Sequence, residues 1–384
     1  MALTPLTPRA LNRSTLHRQL LLERAPLGVT EAVRRVVGLQ AQHPGSPYVA
    51  LWNRVADFDP KHLDGAVSGF ELVRSTLMRL TLHLVHAEDY RAFREGMEPT
   101  LRGSRLHDPR FTKAGFTAAD ADALLPDLLA YAGSVRTGAE MKERLEAGRG
   151  GPVENVVWRM VRQYAPLWHA PTGPPWSFGT AQAFVTASEL PVLRDPEASA
   201  AGLAALLRRY LEGFGPASVP DMAQFTTAPR GLVREAVKAL EGELEQREGP
   251  GGTVLYDVPG AALPGEDVPA PPRLMAMWDS VLLAYADRSR VIPPEYRKHV
   301  IRVNGDTLPT LLVDGYVAGV WRPVDSGIEA SAFHPLTAGD WDGLAAEAAS
   351  LGTLLTDRDP RLYGRYDHWW TKGLPAVETR VLPY

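Results

Sequence analysis

Two glutamines separated by one small apolar residue, Gln40-Ala41-Gln42, follow a helical pattern that Gly38 ends and precede His43-Pro44. In a helix, residues two apart project to nearly opposite sides, whereas in an extended segment they share a face. Gly38 and Pro44 favour the extended reading, which aims two carboxamides into one cleft on either side of a buried Ala41. Such a pair can orient a water and stabilise developing positive charge through its dipoles, but it cannot strip a proton near neutral pH. The alternative is structural: glutamines near a helix end are solvated or cap open backbone groups.

Other chemistries find little support. The chain has no cysteine, which excludes disulfides, thiolate zinc sites and cysteine nucleophiles. Its ten histidines are scattered. His83 and His86, three apart in a strand-like segment, point to opposite faces, so no metal site is expected. There is no glycine-rich nucleotide loop and no serine-nucleophile elbow, so no cofactor is expected either. Asp279, Asp287 and Asp314 are too loosely spaced for a metal-dependent nuclease. No lysine adjoins the glutamines, which disfavours a Schiff base.

The 384 residues, 45% hydrophobic and 22% charged, suffice for two to four domains with cores of their own. No signal segment and no apolar run of spanning length is read, so a soluble cytoplasmic protein is expected. The net charge of −4 hides an asymmetry: residues 1–110 hold 15 basic and 11 acidic residues, so the remainder is net acidic. One nucleic-acid-facing side would suit that distribution. The abundance of arginine fits phosphate contacts, although codon bias produces it too.

The elements that position the glutamines follow from periodicity. Residues 7–24 read as an amphipathic helix with Leu11, Leu16, Leu20 and Leu22 inward and Arg9, Arg13 and Arg18 outside. A short helix over VTEAVRRVVG, a helix near 60–69 and two strands within 72–86 complete the order of a winged helix. Helices at 117–131, 138–147 and 152–164 precede a hairpin candidate and the extended FVTAS; helices at 199–213, 218–226 and 230–240 precede TVLYDVP. These read as further modules. The Pro/Gly stretch 249–272 is the clearest linker. Beyond it, 273–334 is expected to be extended, with Asn304-Gly305 and Asp314-Gly315 as hairpin signals, before a helix at 338–355. The fold expected is α+β, with modules over 1–115, 116–190 and 191–260 and a β-domain with helix and tail over 261–384.

The QAQ segment, RLTLHLVHAEDY (79–90), RRYLEGFGPASVPDMAQF (208–225), WDSVLLAYADRSRVI (278–292) and VNGDTLPTLLVDGYVAGVW (303–321) together resemble the AlkZ-like family of bacterial winged-helix DNA glycosylases, in order and over nearly the whole chain. The resemblance implies tandem winged helices wrapped into a concave scaffold, a C-terminal β-barrel-like domain, and Gln40 and Gln42 as the catalytic Gln-apolar-Gln pair. The second glutamine is similar to the azinomycin-resistance type, since the YcaQ-like sister branch has aspartate there. The expected reaction is monofunctional hydrolysis of cationic N7- or N3-alkylated purines, possible cross-links included, leaving an abasic site. A cationic base departs neutral, so the remaining tasks are to place water at C1′ and to stabilise an oxocarbenium-like transition state. Neutral lesions should react poorly.

On this reading Thr81, His83 and Trp278 line the lesion cleft, and Arg9, Arg13, Arg34, Arg35, Arg79, Arg288 and Arg290 meet phosphates. The structural alternatives are a satisfied histidine, core aromatics, including Tyr285, and solvated charges. A hairpin at Asn304-Gly305 or Asp314-Gly315 would probe the minor groove, and an open cleft with partial displacement of the lesion is expected. The partner is duplex DNA containing alkylated purines, acted on by a monomer associated with the nucleoid, in general repair or antibiotic self-resistance. The rival is a non-catalytic winged-helix regulator, for which no dimerisation helix is seen and the glutamine pair has no role.

Overall fold

Thr7 opens the first helix, Pro8–Arg18, by accepting a hydrogen bond from the Ala10 N–H. The helix buries Leu11 and Leu16 as expected, but also Asn12, Arg13, Ser14, Thr15 and Arg18. Periodicity sees an apolar stripe and cannot see that polar side chains on other faces will meet matched partners. Arg18 is one of them, bonded to both oxygens of the buried Asp257 at 2.7 and 2.8 Å.

The computed structural model describes residues 5–384. Contacts divide the chain into two discontinuous units, Met1–Leu63 with Arg209–Phe225 and Gly242–Tyr384, and Asp64–Arg208 with Thr226–Glu241. The four-part division expected above runs along the chain, and these units cut across it. Helix exceeds strand, 47% to 16% of residues, in keeping with a mixed class.

In the first unit, the helices Val29–Arg35 and Ser46–Trp52 flank the short strand Leu39–Gln40. The C-terminal part carries a five-stranded antiparallel sheet in chain order: Arg273–Leu274, Thr310–Val313, Tyr316–Val324, Gly327–Ala332 and Glu378–Leu382. Asp314 and Gly315 both have positive φ, 47° and 80°, which the two-residue turn between Val313 and Tyr316 requires. The sheet is open, with Arg273–Leu274 and Glu378–Leu382 as its edges, and no closed barrel forms among the described residues. Hairpin signals locate turns but fix neither strand count nor shear, so closure was not readable from them. The helix Ala338–Arg358, opened by the Thr337/Asp340 capping box, contacts three of the strands. Three stretches expected to be extended are not. Asp279 and Asp287 accept from the N–H groups of Val281 and Ser289, winding Ser280–Leu282 and Arg288–Arg290 into 3-10 turns, and Arg297–Val300 is helical. Of the linker stretch, Gly249–Thr253 turns between the strands Glu245–Glu248 and Val254–Asp257.

The second unit contains the strands Leu72–Thr76 and Leu82–His86, paired from Leu72↔His86 to Thr76↔Leu82. The first of these also pairs through Arg74↔His169 with Leu167–Ala170, which pairs with Ala183–Thr186, which meets Arg136–Thr137. The helices Ala118–Tyr131, Gly138–Arg149 and Asn155–Tyr164 fall where periodicity placed them. The helix Ala87–Gly96 and the first part of Pro196–Phe214 touch backbone to backbone: a Cβ on Gly202 would stand 2.5 Å from Ala92 O and Gly96 N.

Candidate active site and DNA-facing surface

Gly38, at φ 154°, leads the chain from the helix Val29–Arg35 into the strand Leu39–Gln40, so the first glutamine is on extended backbone as the sequence suggested. Ala41 is wholly buried, Gln40 is 5% exposed and Gln42 is exposed. One carboxamide is thus set into the protein and the other meets solvent.

The loop after Gln42 is seated on the far end of the chain. The His43 ring lies edge-on to Tyr363, with centroids 4.9 Å apart, and 6.4 Å from Tyr366. His43 Nδ1 accepts from the Gly45 N–H at 3.1 Å, which fixes the ring in its turn. The hydroxyls of Ser46 and Tyr363 are 3.0 Å apart, and Tyr363 also accepts from the Met277 N–H at 3.2 Å. Burial pushes the Tyr363 hydroxyl well above the ordinary tyrosine range, keeping it protonated. Behind the loop, Arg54 binds both oxygens of Asp279, and Asn53 donates to Leu274 O. Asp279 is therefore a structural carboxylate.

Trp278 is largely buried and has a positive φ of 57°. Its Nε1 donates to Gly305 O at 3.1 Å and its ring meets Tyr366 edge-on at 5.4 Å. It anchors the Asn304-Gly305 turn and is not an open stacking platform. Tyr285 is likewise core, its hydroxyl donating to Phe214 O.

Thr81 and His83 belong to the second unit. His83 is fully buried. Its Nδ1 is 3.1 Å from Thr81 O and its Nε2 is 3.0 Å from Arg79 Nη2. Because the guanidinium only donates, Nδ1 carries the proton and donates to Thr81 O, while Nε2 accepts. Burial, then the Arg79 charge, holds this histidine well below its ordinary pKa, so it is neutral. Thr81 Oγ1 is spent on Met78 O. His83 thus fixes the turn 77–81, where Arg79 and Leu80 both have positive φ.

The expected phosphate-binding arginines separate by environment. Arg13 is fully buried, donating to Val268 O, Asp314 O and Asn12, and pairing with the Asp314 carboxylate. Arg290 is buried over the Tyr285 ring and donates to Pro216 O. Both are structural, which corrects their assignment to DNA. Arg9 is bidentate on Asp314. Arg34 and Arg35 are exposed, and Arg79 and Arg288 half-buried. Sequence reasoning missed a second group in the first unit: Arg297, Lys298, Arg302, Arg365 and Lys372, none of which forms an ion pair among the described residues. The run RKHVIR at 297–302 was the signal for the first three, and Arg365 and Lys372 had none of that kind.

The family model described as DNA glycosylase AlkZ-like matches residues 33–354, a span that takes in both glutamines. The chain is similar to an interstrand DNA cross-link repair glycosylase of Streptomyces sahachiroi, at 26% identity over 340 residues covering 83% of this chain and 88% of that protein. Its fold resembles the solved structure of the Streptomyces sahachiroi DNA glycosylase AlkZ, with a TM-score of 0.75 at 22% identity, over 91% of this chain and 96% of the other.

Proposed function

Because the chain belongs to the AlkZ-like DNA glycosylase family, we propose that it hydrolyses the N-glycosidic bond of cationic N7- or N3-alkylated purines in duplex DNA, using Gln40 and Gln42. The observation that carries this reading is the motif's setting: a buried glutamine and an exposed one flank a buried alanine, on a loop held by His43 and Ser46. Gln42 meets the incoming sugar and orients the attacking water at C1′. Gln40, held in the strand, positions the water or sugar and offers its dipole to the oxocarbenium-like transition state. The lesion's own positive charge weakens the bond, so no general acid is required. The product is an abasic site with both strands intact.

The solvent exposure of Gln42 suits a lesion too large for a closed pocket, so the substrates extend to bulky adducts and interstrand cross-links, the damage named for the Streptomyces relative. The helix-then-strand-pair modules serve as winged helices, and the protein acts as a monomer in the nucleoid. Arg34, Arg35 and Arg288 of the first unit and Arg79 of the second contact phosphates. The 301–307 turn is the minor-groove probe: Val303 at its tip is fully exposed, whereas Asp314-Gly315 is occupied by Arg9, Arg13 and Asn12.

The test is single-turnover excision from duplexes carrying one N7-methylguanine, one bulky N7 adduct or one uracil, scored as alkali-labile product. Wild type is expected to process the cationic lesions and spare uracil. Gln40→Ala and Gln42→Ala are expected to lose about 10²-fold or more, the scale of removing one transition-state dipole, while still binding DNA. Product undiminished in both variants, or equal rates on uracil, would sink the mechanism.

A further inference from the structure

Most buried arginines of the first unit lie on a carboxylate, as Arg18 lies on Asp257 and Arg54 on Asp279. Arg302 and Lys372 share an aromatic ring instead. The Arg302 guanidinium is 4.9 Å and the Lys372 ammonium 4.6 Å from the centroid of Trp369. Trp369 is fixed in turn, its Nε1 donating to Asp306 Oδ2 at 2.9 Å and its ring 4.6 Å from that of His368. Asp306, the one acid of the 301–307 turn, gives that same oxygen to Asn304 and forms no ion pair with Arg302. Asp367, two residues before Trp369, faces Arg322 at 3.9 Å.

The choice of partner has a physical consequence. A carboxylate holds a cation and neutralises it, whereas a ring face holds the cation and leaves its charge available. Arg302 Nε and Nη2 are shielded from solvent without an acceptor, and burial lowers the guanidinium's pKa from its ordinary value. A partly desolvated cation lacking a counter-charge is a cost to the fold that an arriving anion offsets. Arg302 also adjoins the fully exposed Val303.

We infer that Arg302 and Lys372, held on Trp369, form a clamp for a phosphodiester of the DNA backbone, fixing the strand where the 301–307 turn enters the groove. The inference rests on the glycosylase reading for the identity of the anion. It deepens that reading by naming a backbone contact made by the last helical turns of the chain, Gly364–Lys372.

The experiment measures binding of the full chain to a short undamaged duplex by fluorescence anisotropy between about 50 and 200 mM salt, where each phosphate contact contributes about 0.9 to the slope of log K against log salt. Arg302→Gln and Lys372→Gln are each expected to reduce the slope by about that amount, and Arg302→Lys to keep it. Trp369→Leu, which removes no charge, is expected to weaken binding, and Trp369→Phe to retain it. Arg302→Met is expected to leave the thermal midpoint unchanged or raised, whereas an arginine needed for folding would lower it. Unchanged slopes in the two glutamine variants, with wild type binding normally, overturn the clamp and leave the glycosylase reading standing. A wild type that binds no duplex overturns both.

Discussion

Arg54 and Asp279 meet through two hydrogen bonds of 2.8 Å, with side chains 0% and 1% exposed. Such a pair gains little over two well-packed apolar residues, yet removing one partner strands the other charge in the interior, at a cost of about 3–5 kcal/mol. Arg54→Met is therefore expected to lower the unfolding free energy by that amount in urea titration. A loss below about 1 kcal/mol would mean that Asp279 finds another partner or a proton. The same substitution at Arg302 carries the opposite expectation, because no carboxylate is left behind there. Residue type alone did not separate these arginines. Arg13, Arg54 and Arg302 look alike in sequence, and only the partner that the fold brings to each decides whether it is structure or surface.

Among the elements, the contact between Ala87–Gly96 and Pro196–Phe214 depends on two glycines. A methyl on Gly202 would meet backbone atoms at 2.5 Å, and backbone cannot rotate away as a side chain can. Gly202→Ala is expected to destabilise the second unit by about 1–3 kcal/mol or more, seen as a lowered urea midpoint. Gly231→Ala, with nothing within 4 Å of the added carbon, serves as the control and should be neutral or stabilising. Helices such as Ala118–Tyr131 and Gly138–Arg149 were legible because each starts at a capping threonine and keeps its period. The extended step through Gln40 was legible from Gly38. The reading failed where a polar side chain bends its own backbone, as Asp279 and Asp287 do, and where tertiary pairing decides the outcome, as in the open C-terminal sheet. The seating of His43 on Tyr363 and Tyr366 had no local signal at all.

For the molecule as a whole, His83 and His169 make stability depend on pH. His83 is fully buried and His169 half-buried in the second unit, and both are held well below the ordinary histidine pKa, by burial first and then by Arg79 for His83 and by Arg74 and Arg162 for His169. With the folded values lowered, the unfolded chain binds more protons below about pH 6.5. Their contribution is intact above that pH and is lost as pH falls, by up to about 1.4 kcal/mol per pH unit for each histidine. Urea midpoints taken from about pH 7.5 down to pH 5.5, above the carboxylate range, should show this decline, and His83→Gln should roughly halve its slope. A flat wild-type profile would mean that both rings are protonated in the fold. The seating of the glutamine loop also sets a timetable. Ser46 and Tyr363 are 317 residues apart in the chain, and their hydroxyls meet in the folded molecule. At about 5–20 residues per second, a ribosome emits the glutamines roughly a quarter of a minute to a minute before the tyrosine that will brace their loop. A nascent chain therefore passes through most of its synthesis with the glutamine loop unbraced, and a message cut short before that tyrosine yields a protein that carries both glutamines without the contact that holds their loop.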